Sequence, residues 1–135
     1  MDIALAQSVR MRAGSRCEYC RMSATLYRTA FHVDHVIAVK HGGPTILENL
    51  ALACLHCNLH NGTDIASLDP ATGALTPLFN PRTDSWSDHF TCSGPLVVGR
   101  TAVGRATVRL LQLNDSLLVA VRDSLAGEGM WPPPE

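Results

Sequence analysis

Two pairs of closely spaced cysteines constrain this 135-residue chain more than any other feature of its sequence. Cys17 and Cys20 form one Cys-x-x-Cys motif, and Cys54 and Cys57 form a second. Two such motifs supply four thiolates, the usual ligand set of tetrahedral structural zinc, and the short gap lets both sulfurs of a pair bind one ion. The sequence therefore predicts a structural Zn²⁺ bound by these four cysteines.

The segment between the two motifs must form a folded insertion, because it is longer than the spacing typical of a zinc ribbon. A redox pair and plain buried cysteines are the alternatives for these thiols. A redox site needs only one Cys-x-x-Cys motif, however, and the chain lacks the βαβ pattern of a thioredoxin-like fold. Cys92 is left over and is expected to be a lone small hydrophobic residue.

The pattern of apolar and turn-forming residues predicts an α+β chain made of a module, residues 1–66, and an extension, residues 67–135. The extension is expected to pack on the module and to end in helices. In the module we predict a helix over 2–13 that ends at Gly14, a strand over 30–37, a loop at 41–44 and a helix from 46 to about 61.

In the extension, turn-forming residues alternate with short apolar runs before two helical patterns. Asn114 and Asp115 separate these patterns, and either could cap the second helix. The tail at residues 130–135 is rich in proline and cannot be helical, so we expect it to be disordered or to adopt a polyproline II conformation. The predicted elements are a short strand within 69–82, a turn at 84–90, a strand over 95–99, and helices over 101–113 and 115–126.

Bulk composition excludes few functions. The formal net charge of −1 gives no electrostatic argument for a polyanionic partner. Lys40 is the only lysine, and arginine suits phosphate contacts, although a GC-rich genome produces the same bias. No apolar run reaches the ~20 residues of a membrane span, and the first residues lack the features of a signal peptide. We therefore expect a cytoplasmic protein, in a reducing compartment where thiols stay free or bind metal.

Between the cysteine motifs lie polar residues suited to phosphodiester hydrolysis. This reaction needs a base that takes a proton from water near neutral pH, which histidine can do, and a hard cation with oxygen ligands. His35 could be the base, and Asp34 and Asn58 could supply the oxygens. Adjacent strand residues point to opposite faces, so Asp34 and His35 can share a site only at a strand end or bend. The Gly-Gly-Pro loop at 42–44 is consistent with such an end.

Together these motifs resemble the HNH endonuclease family, whose nuclease module has the ββα-metal (His-Me finger) fold. The resemblance covers roughly residues 14–64 and rests on the cysteine pairs, Asp34-His35, Gly42-Gly43, Asn49-Leu50 and Cys57-Asn58. It implies that His35 is the general base and that Asp34 and Asn58 bind a catalytic Mg²⁺ or Mn²⁺. It also implies that Asn49 braces the loop and the base, and that the zinc lies away from the chemistry.

The resemblance further implies a nucleic-acid substrate, cut to leave a 5′-phosphate and a 3′-hydroxyl. We expect DNA rather than RNA, although the sequence does not itself reveal this preference. His32 lies two residues before Asp34 and therefore faces the same side of the predicted strand. His60 lies two residues past Asn58, so both histidines are further candidate ligands of the catalytic ion. One departure is Asn61, where many relatives carry a lysine; if that lysine contacts phosphate, its loss would weaken binding.

Residues 77–90 and 104–114 resemble, more weakly, an extension found in one bacterial and phage-associated subgroup of the family. Arg82 and Arg105 could contact nucleic acid there. The alternative, which we favour, is that Trp86 and Phe90 pack while the two arginines are solvated.

Two other functions stay open from sequence. The first is a zinc-dependent nucleic-acid-binding or assembly module that has lost catalysis. The second is a thiol redox or zinc-storage protein, which would leave Asp34, His35 and Asn58 without a purpose. Cleavage specificity, oligomeric state and biological pathway cannot be inferred from these residues.

Overall fold

Helix α1 (Ile3–Arg12) opens the computed structural model, which describes residues 1–134. The helix begins where the Asp2 carboxylate accepts a hydrogen bond from the Ala4 amide at 3.2 Å. It ends just before Gly14, whose φ of +62° suits a residue without a side chain. These bounds agree with the helix predicted over 2–13.

Two antiparallel strands follow, β1 (Phe31–His35) and β2 (Leu50–Cys54), with Phe31 opposite Cys54 and His35 opposite Leu50. Two 3₁₀ turns, Val39–His41 and Leu47–Asn49, lie between the strands, and helix α2 (Leu55–Asn61) follows β2 directly. The order strand, strand, helix is the ββα arrangement that was expected.

The prediction of one helix from 46 to about 61 is wrong over Leu50–Cys54, which is strand. All five residues of this strand are buried. A short apolar run that is buried on both faces lacks the alternation of a half-exposed strand, so periodicity does not distinguish it from a helix.

Residues 62–134 form two hairpins and three helices. The hairpins are β3 (Ala66–Leu68) with β4 (Leu75–Pro77), and β5 (Phe90–Ser93) with β6 (Leu96–Gly99). The helices are α3 (Trp86–His89), α4 (Ala102–Leu110) and α5 (Ser116–Gly127). Thr101 caps α4 and Asp115 caps α5, each by accepting a hydrogen bond from a main-chain amide of the first turn.

The tail does not follow the prediction of disorder as far as Pro134, and Glu135 lies outside the described residues. Trp131 is only 5% exposed, and its indole N–H donates to the Gly94 carbonyl at 3.0 Å. The guanidinium of the buried Arg122 lies 5.5 Å from the centre of the Trp131 ring. Burial of one large aromatic ring thus holds a segment whose prolines cannot form a helix.

The chain divides into two compact units. The first unit comprises residues 1–65 with 80–84, and the second comprises residues 66–79 with the chain from Ser85 onward. The boundary predicted after residue 66 lies one residue from this division, whereas the return of 80–84 to the first unit was not predicted. Among residues 1–134, the structure has no helix with the length and apolar character needed to cross a bilayer.

Candidate functional site

The four paired cysteines lie together in the first unit. Their sulfur atoms are all within 4.8 Å of one another, all four residues are buried, and Cys20 Sγ lies 3.7 Å from Cys54 Sγ. A tetrahedral zinc ion with Zn–S bonds of about 2.3 Å would separate its sulfurs by roughly 3.8 Å. The donor set and its spacing therefore fit the structural zinc that the sequence predicts.

Local backbone geometry builds each half of this cluster. The main-chain amides of Cys20 and Cys57 point at the sulfurs of Cys17 and Cys54, each at 3.5 Å. Arg21 turns the first knuckle with a φ of +69°. Cys54 ends β2 and is also the N-cap of α2, so the second knuckle sits at the junction of strand and helix.

The thiols of Cys17, Cys20 and Cys57 have shifted pKa values. Burial raises the pKa of the Cys17 thiol, but hydrogen bonds from the other three cysteines outweigh burial and bring that pKa well below its ordinary value. Bonding to Cys17 in turn raises the pKa of the Cys20 and Cys57 thiols. All four can be thiolates together only when a cation compensates their charge, which again fits zinc.

The two faces of the β1–β2 sheet carry different side chains. One face packs against α1 and carries Phe31, Val33, Leu50 and Leu52; by the same register His35, opposite Leu50, lies at the end of this face. His32 and Asp34 alternate with these residues, so they lie on the other face, beside Ala51 and Ala53.

His35 is the last residue of β1. Asp34 and His35 therefore lie at a strand end, the position at which adjacent residues can share a site. Its main-chain N–H donates to Asp34 Oδ1 at 2.9 Å, and its ring Nε2 lies 2.8 Å from Thr45 Oγ1. Asp34 and His35 are thus adjacent at a strand end, with one ring nitrogen of the histidine engaged by a hydroxyl group.

Asn49 is buried and closes the loop that joins the two strands. Its side-chain oxygen accepts from the Ile37 amide at 3.0 Å, and its amide group donates to the Ile37 and Pro44 carbonyls, both at 2.9 Å. Gly43 lies so close to the backbone of Ile37 that a Cβ atom on Gly43 would be 1.8 Å from the Ile37 carbonyl oxygen. The loop after His35 therefore has one tightly determined path.

His32 carries a polar atom without a partner. Its Nε2 is buried and forms no hydrogen bond within the described residues, on the sheet face that also carries Asp34. An unpaired buried nitrogen of this kind is costly in a finished structure. It is accounted for when a ligand, such as a metal ion, completes the site.

One side of helix α2 packs against the rest of the first unit. Cys57 and Asn61 are buried and Asn58 is half-buried, whereas Leu59 is exposed on the opposite side. The helix contacts both β1 and β2. Asn58 therefore lies on the side of α2 that faces the rest of the first unit.

His60, the second candidate beside Asn58, is partly engaged. Its Nδ1 lies 2.8 Å from the His56 carbonyl oxygen, and its ring stacks on that of His56 with centroids 4.1 Å apart. Its Nε2 is the ring nitrogen left for any further ligand.

The two arginines singled out as candidate nucleic-acid contacts are both in ion pairs. Arg82 is paired with Glu18 in the first unit, with side-chain exposures of only 12% and 13%. In the second unit Arg105 donates two bonds to Asp69, at 3.0 and 2.8 Å, and its side chain is 35% exposed. Neither is the solvated arginine of the alternative interpretation, and a role for either in binding nucleic acid stays a prediction.

Residues 17–64 match the family model described as HNH endonuclease. This segment is an HNH domain. It contains the whole cysteine cluster, both strands of the first sheet, the loop braced by Asn49, and α2. The resemblance read from the motifs is thus confirmed at the level of the family. No curated protein and no solved structure matches the chain.

Three residues of the HNH domain make contacts that the motifs did not indicate. Thr45 contacts the ring of His35. Glu18 bonds to the backbone of Leu52 twice, through its amide at 2.9 Å and its carboxylate at 2.8 Å. Tyr19 is buried, and its pKa is raised first by that burial and then by the nearby charges of Cys17 and Asp34. The Tyr19 hydroxyl group therefore keeps its proton.

Outside the matched segment, Arg12 of α1 supports the turn that carries Asn49. Its guanidinium donates to the Leu47 and Leu50 carbonyls, at 2.8 and 2.5 Å, on either side of that turn. Sequence motifs indicate the residues that take part in metal binding or catalysis. They do not indicate which other residues stabilise the backbone that carries those residues.

Proposed function

We propose that the HNH domain is a metal-dependent endonuclease that hydrolyses phosphodiester bonds of nucleic acid, with DNA the preferred substrate over RNA. The observation that carries this proposal is the adjacent pair Asp34 and His35 at the end of β1, beside a loop fixed by Asn49, inside a segment that matches the HNH family. A protein that only bound nucleic acid would have no need of a base at this position.

In this mechanism His35 is the general base. Its free ring nitrogen takes a proton from a water molecule, and the oxygen of that water bonds to the phosphorus. The bond from phosphorus to the 3′ oxygen breaks, and its electron pair leaves with that oxygen, which then takes a proton from solvent. The products are a 5′-phosphate and a 3′-hydroxyl.

Asp34 and Asn58 would bind the catalytic Mg²⁺ or Mn²⁺, because their side chains offer the oxygen ligands that such hard cations prefer. The unpaired Nε2 of His32, on the face of Asp34, supports His32 as a further ligand. His60 is a weaker candidate, since one of its ring nitrogens is already engaged. When bound, the cation neutralises charge on the scissile phosphate and the leaving oxygen.

The structural zinc would have a separate task. Its four cysteines join the N-terminal knuckle to the junction of β2 and α2. None of these cysteines takes part in the proposed hydrolysis. A reducing cytoplasm would keep these thiols available for the metal.

The test is cleavage of supercoiled plasmid, single-stranded DNA and RNA by the zinc-loaded protein, with Mg²⁺ or Mn²⁺ and in EDTA. His35→Ala should lower the rate roughly 100-fold or more, the usual effect of losing a general base. His41→Ala removes an exposed imidazole that has no part in the proposed reaction and should keep the wild-type rate.

Cleavage that survives in His35→Ala would refute the role of His35. Absence of cutting on all three substrates, with zinc bound and the fold intact, would instead favour the binding or assembly module.

A further inference from the structure

The hydroxyl group of Thr45 contacts the ring of His35: Nε2 and Oγ1 are 2.8 Å apart. His35 is half-buried and Thr45 is exposed. Ten residues separate the two in sequence, so this contact depends on the path of the loop between β1 and β2.

Asn49 holds Thr45 from both sides. The Asn49 side chain donates to the carbonyl of Pro44 at 2.9 Å, and the Asn49 main-chain N–H donates to the carbonyl of Ile46 at 2.9 Å. The residues before and after Thr45 are therefore both fixed to the same buried asparagine. The hydroxyl group consequently has a defined position relative to His35 although its own side chain is exposed.

We propose that Thr45 is a positioning residue that selects the neutral tautomer of His35 with its proton on Nε2, which leaves Nδ1 as the nitrogen that accepts the proton from water. This inference rests on the proposed nuclease function of His35. It adds a residue, and the identity of the reacting nitrogen, to that function.

The choice follows from the hydrogen-bonding capacity of the two groups together with the base role proposed for His35. A neutral imidazole has one N–H donor and one acceptor nitrogen, whereas a hydroxyl group both donates and accepts. If Nε2–H donates to Thr45, the lone pair remains on Nδ1, and the hydroxyl group can donate its own hydrogen to solvent. If the hydroxyl group donated to Nε2 instead, Nδ1 would carry the proton and could not act as a base.

The same arrangement persists through the reaction. After Nδ1 takes the proton, Nε2–H of the imidazolium still donates to Thr45 Oγ1, now as a charge-assisted bond. The opposite arrangement would require the hydroxyl group to rotate during proton transfer. Thr45 thus keeps the ring oriented and stabilises the charge that develops on it.

Kinetics of Thr45 variants test the positioning role. Thr45→Val keeps the shape and loses the hydroxyl group, and we expect kcat to fall about ten-fold with KM nearly unchanged. Thr45→Ser restores a hydroxyl group and should return kcat to within roughly two-fold of the wild-type value. Thr91→Val makes the same change on an exposed strand residue of the second unit and should leave both constants unchanged. An unchanged kcat in Thr45→Val would overturn the inference.

Nitrogen-15 NMR of the imidazole groups tests the tautomer without relying on cleavage. Spectra of zinc-loaded protein without a catalytic cation, at a pH where imidazole is neutral, should show the proton of His35 on Nε2, with His35→Ala providing the assignment. Thr45→Val should lose this preference. A wild-type proton on Nδ1 would overturn the inference whatever the nuclease assay shows, whereas failure of cleavage with the Nε2 proton in place would count against the proposed function alone.

Discussion

Asn49 is a single side chain on which the whole loop between β1 and β2 depends. Each of its polar atoms is used: the oxygen accepts from the Ile37 amide, and the nitrogen donates to the carbonyls of Ile37 and Pro44. Because the residue is buried, water cannot easily replace these bonds. The same residue therefore contributes to stability and, through Thr45, to the geometry at His35.

Asn49→Ala should lower the free energy of unfolding of the first unit by about 2–3 kcal/mol, since three hydrogen bonds are lost at roughly 1 kcal/mol each. We also expect kcat for DNA cleavage to fall, because the loop no longer fixes Thr45. Urea unfolding and cleavage kinetics measure the two effects. Glu48→Ala, at the exposed neighbouring position, is the matched control, and equal effects of the two substitutions would contradict the role of Asn49.

At the residue scale, the sequence revealed groups whose chemistry is evident from their type and spacing. The four cysteines are an example, because zinc binding requires that residue type at that short interval. Thr45 was not identified, because a threonine in a loop has no signature. Its role depends on where the chain brings its hydroxyl group, and only the structure defines that path.

Among the elements, the turn between β3 and β4 is joined to α4 by the buried carboxylate of Asp69. This side chain is fully buried and accepts hydrogen bonds from the Ala71 amide, the Thr72 hydroxyl group and the Arg105 guanidinium. Those bonds, the one from Arg105 first, hold the pKa of Asp69 well below its ordinary value. The hairpin and the helix are thus linked by an interaction that requires the charged carboxylate.

This link has a defined dependence on pH. A folded-state pKa below the unfolded value means that the stabilisation is fully present above the ordinary aspartate pKa, near 3.9, and is lost as pH falls towards the folded-state pKa. Wild-type protein should therefore lose thermal stability of the second unit on acidification below about pH 4. Asp69→Asn should be less stable at neutral pH and lack this part of the acid dependence.

Melting temperatures followed by tryptophan fluorescence between neutral and acidic pH provide the comparison, with the exposed Asp123→Asn as control. Parallel acid profiles for wild type and Asp69→Asn would show that Asp69 makes no such contribution.

Elements were predictable where their boundaries are marked locally. α1 has an N-cap and a terminal glycine, and α4 and α5 have capping residues, so their positions agree with expectation. Strand β2 was not recognised, because both of its faces are buried and Leu50 and Cys54 have the spacing of a helical face. Only the pairing of this segment with β1, a contact between residues distant in sequence, distinguishes a strand from a helix here.

At the scale of the whole molecule, the two units depend on different sources of stability. The first unit contains the cysteine cluster, whose four ligand sulfurs lie within 4.8 Å of one another. The second unit has its own buried residues, among them Phe90, Val97, Leu113 and Leu118. Both tyrosines belong to the first unit and both tryptophans to the second, so the units can be followed separately.

Loss of zinc should unfold the first unit and leave the second folded. The binding free energy of structural zinc in small sites is about 10 kcal/mol or more, comparable with the total stability of a domain. Cys54→Ser should therefore abolish zinc binding and the dispersed amide NMR signals of the first unit, while the tryptophan fluorescence of the second unit stays native-like. Cys92→Ser, outside the cluster, should retain one zinc ion per chain, and a folded first unit in Cys54→Ser would contradict structural zinc.

The two hydrogen bonds between Glu18 and Leu52 have a consequence for solubility. Leu52 pairs with β1 on one side, so the groups that Glu18 satisfies belong to the outer edge of the sheet. An uncovered apolar edge strand is a template for aggregation. Glu18 lies between Cys17 and Cys20, so loss of a metal ion bound by the cysteine cluster would free Glu18 and expose the edge of the apolar segment Leu50–Cys54. A zinc ion bound there would therefore protect the chain against self-association as well as unfolding.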